Sequence, residues 1–140
     1  MERGRRIAFD FGDVRIGVAV CDPEAILVSP LAVLNTKDRN LFQRIKDIFE
    51  EINPVTTFVG LPVSMSGIES ESSEKARIFA QQLEELSPCR VVLVDERLST
   101  VNAQSKARAA GKSTRDTKNL IDALAAVEIL ERGLSCERAQ

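Results

Sequence analysis

A chain of 140 residues with 44% hydrophobic and 29% charged residues has the size and composition of one folded domain with a substantial core. Its formal net charge of −2 excludes a globally basic nucleic-acid binder, so any such contact must rest on a local patch. It contains no His, Trp or Tyr, which excludes Ser-His-Asp and Cys-His catalysis and the commonest zinc ligand.

The chemistry left to the chain runs on carboxylates, Lys and Arg, hydroxyls, thiols or a bound metal. Cys21, Cys89 and Cys136 are odd in number and far apart, with no CxxC pair, and read as reduced thiols packed like small apolar residues. The Arg-rich start runs into Ile7-Ala8-Phe9-Asp10, too short and too charged for a signal peptide. No apolar run approaches the length of a membrane span. The expectation is a cytoplasmic protein with no membrane partner.

Residues 6–12 alternate as a strand, with Ile7, Phe9 and Phe11 on one side and Ala8, Asp10 and Gly12 on the other. Gly12-Asp13 signals a turn, and Ile16-Gly17-Val18-Ala19-Val20 reads as a second strand paired with the first. Ile26 to Leu34, interrupted by Pro30, suits a third strand at a sheet edge. Leu41, Ile45, Ile48, Phe49 and Ile52 recur at helical spacing, with Pro54 beyond the helix end. Thr57 to Leu61, closed by Pro62, fits a buried strand, and a Ser-rich loop spans Ser64 to Ser73.

Ala76, Phe79, Ala80 and Leu83 mark a second helix, and Arg90-Val91-Val92-Leu93-Val94 reads as a central parallel strand covered on both faces. Ser99 or Thr100 caps a short helix stopping near Gly111. The last helix starts near Ser113 or Thr114 and runs to about Arg132, with Gly133 as its stop. Residues 1–134 then form a single domain, and Ser135 to Gln140 a loose polar tail. The order predicts an α/β fold: a mixed five-stranded sheet, its first three strands antiparallel, with helices on both faces.

Three acidic sites stand in unusual settings. Asp122 is the only charged residue in Leu120-Ile121-Asp122-Ala123-Leu124-Ala125-Ala126-Val127, which otherwise reads as a helix buried on nearly all sides. A lone buried carboxylate costs several kcal/mol or more, so a cation, a hydrogen-bond network or a metal must compensate it. Asp10 sits mid-strand, where Asp is disfavoured, between the small Ala8 and Gly12. Asp95-Glu96 follow a strand at its carboxyl end, where open α/β sheets place ligands. Magnesium and manganese prefer such oxygen ligands, and two ions about 4 Å apart hydrolyse phosphodiesters without histidine.

Lys106, Arg108, Lys112, Arg115 and Lys118 form a local basic excess before Asp122, opposed only by Asp116, and fit a phosphate-tracking surface. Arg15 and Arg97 flank the acidic sites and either contact phosphate or orient the carboxylates, orientation being the stronger reading for Arg97. With no Trp or Tyr, backbone and shape recognition outranks base stacking. Gly111-Lys112-Ser113-Thr114 is not a phosphate-binding P-loop, because the leading Gly is replaced by Lys106 and the segment follows a helix.

Phe9-Asp10-Phe11-Gly12-Asp13-Val14-Arg15-Ile16-Gly17-Val18-Ala19 resembles the opening motif of the YqgF family of RNase H-like nucleases, described as Holliday-junction resolvases or pre-16S rRNA nucleases. Gly60-Leu61-Pro62 with Gly67 resembles the family's middle loop, Asp95 to Thr100 its second acidic motif, and Ile121 to Ala126 its last. The resemblance spans about Arg6 to Gly133. It implies an RNase H-like fold and makes Asp10, Glu96 and Asp122 the catalytic, metal-binding triad, with Mg2+ or Mn2+, two ions, as cofactor.

The function implied is metal-dependent hydrolysis of structured nucleic acid, foremost 5′-end processing of pre-16S rRNA in ribosome biogenesis. A four-way DNA junction resolvase and a non-catalytic RNA-binding factor in ribosome assembly or transcription are the alternatives. Partners are then pre-rRNA or branched DNA, with ribosomal or transcription machinery, for a monomer or homodimer. A phosphotransfer ATPase of the actin and sugar-kinase type shares the Asp10-Phe11-Gly12 turn but needs two lobes, too many for 140 residues.

Overall fold

The computed structural model describes residues 2–63, 70–95 and 114–139, with side chains in the last stretch described from Asn119 onward. The elements are β1 (Arg6–Phe11), β2 (Arg15–Cys21), β3 (Val28–Asn35), α1 (Leu41–Ile52), β4 (Thr56–Leu61), α2 (Glu71–Leu86), β5 (Arg90–Asp95) and α3 (Thr114–Arg138). The strands make one sheet in the order β3-β2-β1-β4-β5. β1, β2 and β3 pair antiparallel, while β1–β4 and β4–β5 pair parallel. This is the mixed five-stranded sheet expected from the sequence.

The period-two alternation of the strands divides the core into two chemically different faces. Ile7, Phe9, Ile16, Val18 and Val59 pack with Leu41, Ile45 and Phe49 of α1 and Phe79, Ala80 and Leu83 of α2. The Phe9 ring meets Phe49 and Phe79 edge-on, with centroids 5.8 and 5.9 Å away. The opposite face is lined by the small Ala8, Ala19 and Cys21, against Ala126, Val127, Ile129, Leu130 and Leu134 of α3. Phe58 also packs on this face, so the small strand residues let α3 settle close at Ala8, Gly17 and Ala19 in particular.

That closeness is greatest where Gly17 faces Asp122. A Cβ on Gly17 would collide with the Asp122 carbonyl oxygen and crowd the Ala123 nitrogen at 3.3 Å. Backbone against backbone cannot yield by a rotamer change, so the position requires glycine.

Four expectations are corrected. β5 lies at a sheet edge rather than at its centre. Its apolar run reflects coverage of both faces, Val91 and Leu93 packing toward α1 and α2, Val92 and Val94 toward α3. The last helix does not stop at Gly133 but continues to Arg138. Gly133 is there for space: a Cβ would come within 2.7 Å of the Phe58 ring. The Ser-rich segment ends earlier than expected, because Ser70 caps α2 in a capping box with Ser73. The cysteines do not share one environment: Cys21 is buried, which pushes its thiol up from the ordinary value, whereas Cys136 is exposed. The short helix expected between Ser99 and Gly111 lies outside the described residues.

The far end of α3 is fastened by charge. Arg6, 1% exposed, donates from Nε to Glu137 Oε2 at 3.1 Å and from its terminal nitrogens to the carbonyls of Gly4 and Glu2. Arg90 Nη2 stands 3.6 Å from the other Glu137 oxygen. Removing one partner strands a buried charge, so Arg6→Met should lower stability by about 3 kcal/mol or more in urea denaturation. Arg6→Met with Glu137→Leu should recover most of that loss; a double variant as unstable as the single one would contradict this account. Gly17→Ala should cost about 1–3 kcal/mol by the same measurement, since helix and strand must part to admit a methyl group.

Candidate metal and phosphate site

β1 and β2 are locked so that Asp10 stands directly opposite Gly17. Residues opposed in an antiparallel pair project to the same face, about 4.5–5.5 Å apart at Cα. The face is that of α3, because Ala8 and Ala19, one step along the same ladder, both pack there. Gly17 is also where the Asp122 backbone touches the sheet. One missing side chain thus brings Asp10 and Asp122, far apart in sequence, to the two flanks of a single residue. Both are partly exposed. The site therefore lies at the rim of the α3 interface, where ions and water reach it, and Asp122 is less enclosed than its apolar neighbours suggest.

Asp122 has a cation against it. Arg15 Nε donates to Asp122 Oδ2 at 2.5 Å, with the two side chains 34% and 23% exposed. Arg15 shares the strand face of Gly17, two residues ahead of it, which aims it toward α3. The turn before it is fixed by Thr36, whose Oγ1 donates to the Gly12 carbonyl at 2.7 Å and whose N–H donates to the Val14 carbonyl at 3.0 Å. Asp13 in that turn accepts from Lys75 Nζ of α2 at 3.0 Å, and this bond raises the Lys75 ammonium above its ordinary value.

Asp95 closes β5, and its carbonyl accepts from Arg132 Nη1 at 2.8 Å. By strand alternation its side chain belongs to the face of Val91 and Leu93, opposite that of Asp10. A cleft of about 550 Å³ between β5 and the second half of α3 includes Asp95 but neither Asp10 nor Asp122. Nucleic acid follows an open surface and needs no enclosed cavity, so this cleft carries less weight than the rim at Gly17.

Glu96, Arg97, Lys106, Arg108 and Lys112 lie outside the described residues. Arg115 and Lys118 fall in the first turns of α3, and their side chains are outside the description as well. Among the described residues no three potential metal ligands cluster. The donors at the rim are carboxylate oxygens without thiol or imidazole, a set that fits a hard divalent cation. Sequence reasoning missed Gly17, although a glycine inside a strand is itself a signal of close backbone approach. It named Arg15 but left its partner open.

Three comparisons bear on this geometry. The family model of RuvX, described as Holliday junction resolvase, matches residues 4–135. A protein of Streptomyces avermitilis named "Putative pre-16S rRNA nuclease" is 43% identical over 140 residues, covering 99% of this chain and 90% of its own. Its namesake in Streptomyces coelicolor is 42% identical, covering 99% and 84%. Among solved structures, Thermus thermophilus RuvC superposes with a TM-score of 0.51 at 14% identity over 96% of each chain, which shows the fold alone. The same protein in complex with a Holliday junction substrate gives 0.50 at 12% identity, again over 96% of each. The family reading of the four sequence motifs and the antiparallel-then-parallel sheet thus agree: the chain belongs to the RuvX (YqgF) family of nucleases and has its RNase H-like fold.

Proposed function

We propose that this chain is a divalent-metal-dependent nuclease that hydrolyses phosphodiester bonds in structured nucleic acid, with 5′-end processing of pre-16S rRNA as its task. The observation that carries the reading is the placement of Asp10 and Asp122 on either flank of Gly17, on one face of the sheet. Glu96 completes the triad by its position in the second acidic motif. These three carboxylates would hold Mg2+ or Mn2+, as two ions. When bound, such ions stabilise charge on the phosphate and make water a better nucleophile at neutral pH.

The three carboxylates would together concentrate negative charge at one spot, and the close contact of the Asp122 backbone with Gly17 supports that placement. Arg97, Lys106, Arg108, Lys112, Arg115, Lys118 and Arg15 would track the sugar-phosphate backbone, giving affinity without base reading. Ribosomal or transcription machinery in the cytoplasm is the matching setting for the rRNA reading, and either a monomer or a homodimer serves it. The family's description favours a second reading, a resolvase of four-way DNA junctions, which differs in substrate and not in chemistry.

Purified protein with Mg2+ or Mn2+, given a pre-16S rRNA 5′ fragment and a four-way DNA junction side by side, separates the two. Asp10→Asn and Asp122→Asn should lower cleavage by on the order of 10³-fold while circular dichroism stays unchanged, and excess chelator should abolish it. Asp95→Asn, on the other face of the sheet, should cleave near the wild-type rate. Full activity in either triad variant, or in chelator, would refute the proposal.

A further inference from the structure

The carboxylate that the nuclease reading assigns to metal is already in use. Arg15 Nε holds Asp122 Oδ2 at 2.5 Å, and the pair is about a quarter to a third exposed, so it is partly desolvated and still accessible. A guanidinium and a divalent cation on the same carboxylate repel each other across a few ångströms, an interaction that partial burial strengthens. Arg15 can leave: it is the first residue of β2, beside the Gly12–Val14 turn, and its side chain is long and flexible. The Asp122 backbone is held against Gly17, so its carboxylate moves only by rotation of a short side chain.

Resting on the nuclease reading, we propose that Arg15 is a positioning residue that competes with the metal for Asp122. It neutralises the carboxylate before the cation arrives, and metal loading displaces its guanidinium into the mouth of the site, where a phosphate would approach. The exchange is local to Asp122, the carboxylate that Arg15 touches. Without metal, the single negative charge of Asp122 is matched by Arg15. With a dication in place the guanidinium loses its partner, and an incoming phosphodiester supplies the next negative charge. Metal and nucleic acid would therefore favour each other's binding through one side chain.

The competing account is an arginine that orients Asp122 so that metal binds better, and the two differ in sign. Mn2+ binding to the full-length chain, measured by calorimetry, should be roughly tenfold tighter in Arg15→Gln than in the wild type, the usual worth of one partly exposed charge-assisted hydrogen bond. Arg15→Lys keeps a cation with a poorer fit to the carboxylate and should fall between the two, which preserves the test if Arg15→Gln folds poorly. The melting temperature supplies a second readout: Arg15→Gln should melt below the wild type without metal and lose that deficit in saturating Mn2+. Wild-type Mn2+ binding with unchanged or weaker affinity in both Arg15 variants would overturn this inference and leave the nuclease reading standing. Absence of both Mn2+ and Mg2+ binding by the wild-type chain would overturn both.

Discussion

The approach of α3 to the sheet at Gly17 is the constraint on which the rest of the molecule depends. The absent methyl group lets the backbone of Asp122 rest on β2, and the ladder register sets Asp10 across from the same residue. The small lining of this face, Ala8 and Ala19 on the strands and Ala123 and Ala126 on the helix, keeps the approach close along its length. The opposite face, filled by Phe9, Phe49 and Phe79, makes the sheet a rigid platform against which α3 is positioned. Structure and site thus share one local feature: small residues, Ala8, Gly17 and Ala19, where the strands meet the Asp122 end of α3.

Charge is arranged with the same economy. α3 is pinned to the start of the chain by the enclosed Arg6–Glu137 pair and carries at its other half the accessible Arg15–Asp122 pair. The two behave differently because their burial differs. A pair shut away from water acts as a fastener, since separating it exposes two ions to a low-dielectric interior. A pair at the rim is worth less in stability, on the order of 1 kcal/mol, and is free to be exchanged. In the proposed nuclease, such an exchangeable partner would neutralise Asp122 until a metal ion bound there.

Much of this was legible in the sequence, and the illegible part has a common physical cause. Asp10 and Asp122 stand out because a carboxylate in an apolar strand or helix is costly in isolation, a fact available without coordinates. The strand and helix assignments followed from periodicity, and α1 begins and ends where its apolar spacing and Pro54 say it should. What periodicity cannot reveal is adjacency. β5 reads as a central strand because both its faces are covered, yet coverage of faces says nothing of the edges, and the strand is terminal in the sheet. Gly133 reads as a helix stop because local propensity sees only the missing side chain, whereas Phe58 is what needs the room. The Arg15–Asp122 partnership spans 107 positions and exists only through the register of β2 and the docking of α3.

The central claim is that Asp10 and Asp122 share a divalent ion across Gly17. The most direct measurement is anomalous X-ray scattering from crystals of the full-length chain grown with Mn2+. The account predicts a manganese peak at about 2.0–2.3 Å from a carboxylate oxygen of each residue, with the Arg15 guanidinium withdrawn from Asp122. Manganese bound elsewhere, or a crystal saturated with the ion in which Asp10 and Asp122 remain unligated and Arg15 stays paired, would contradict it.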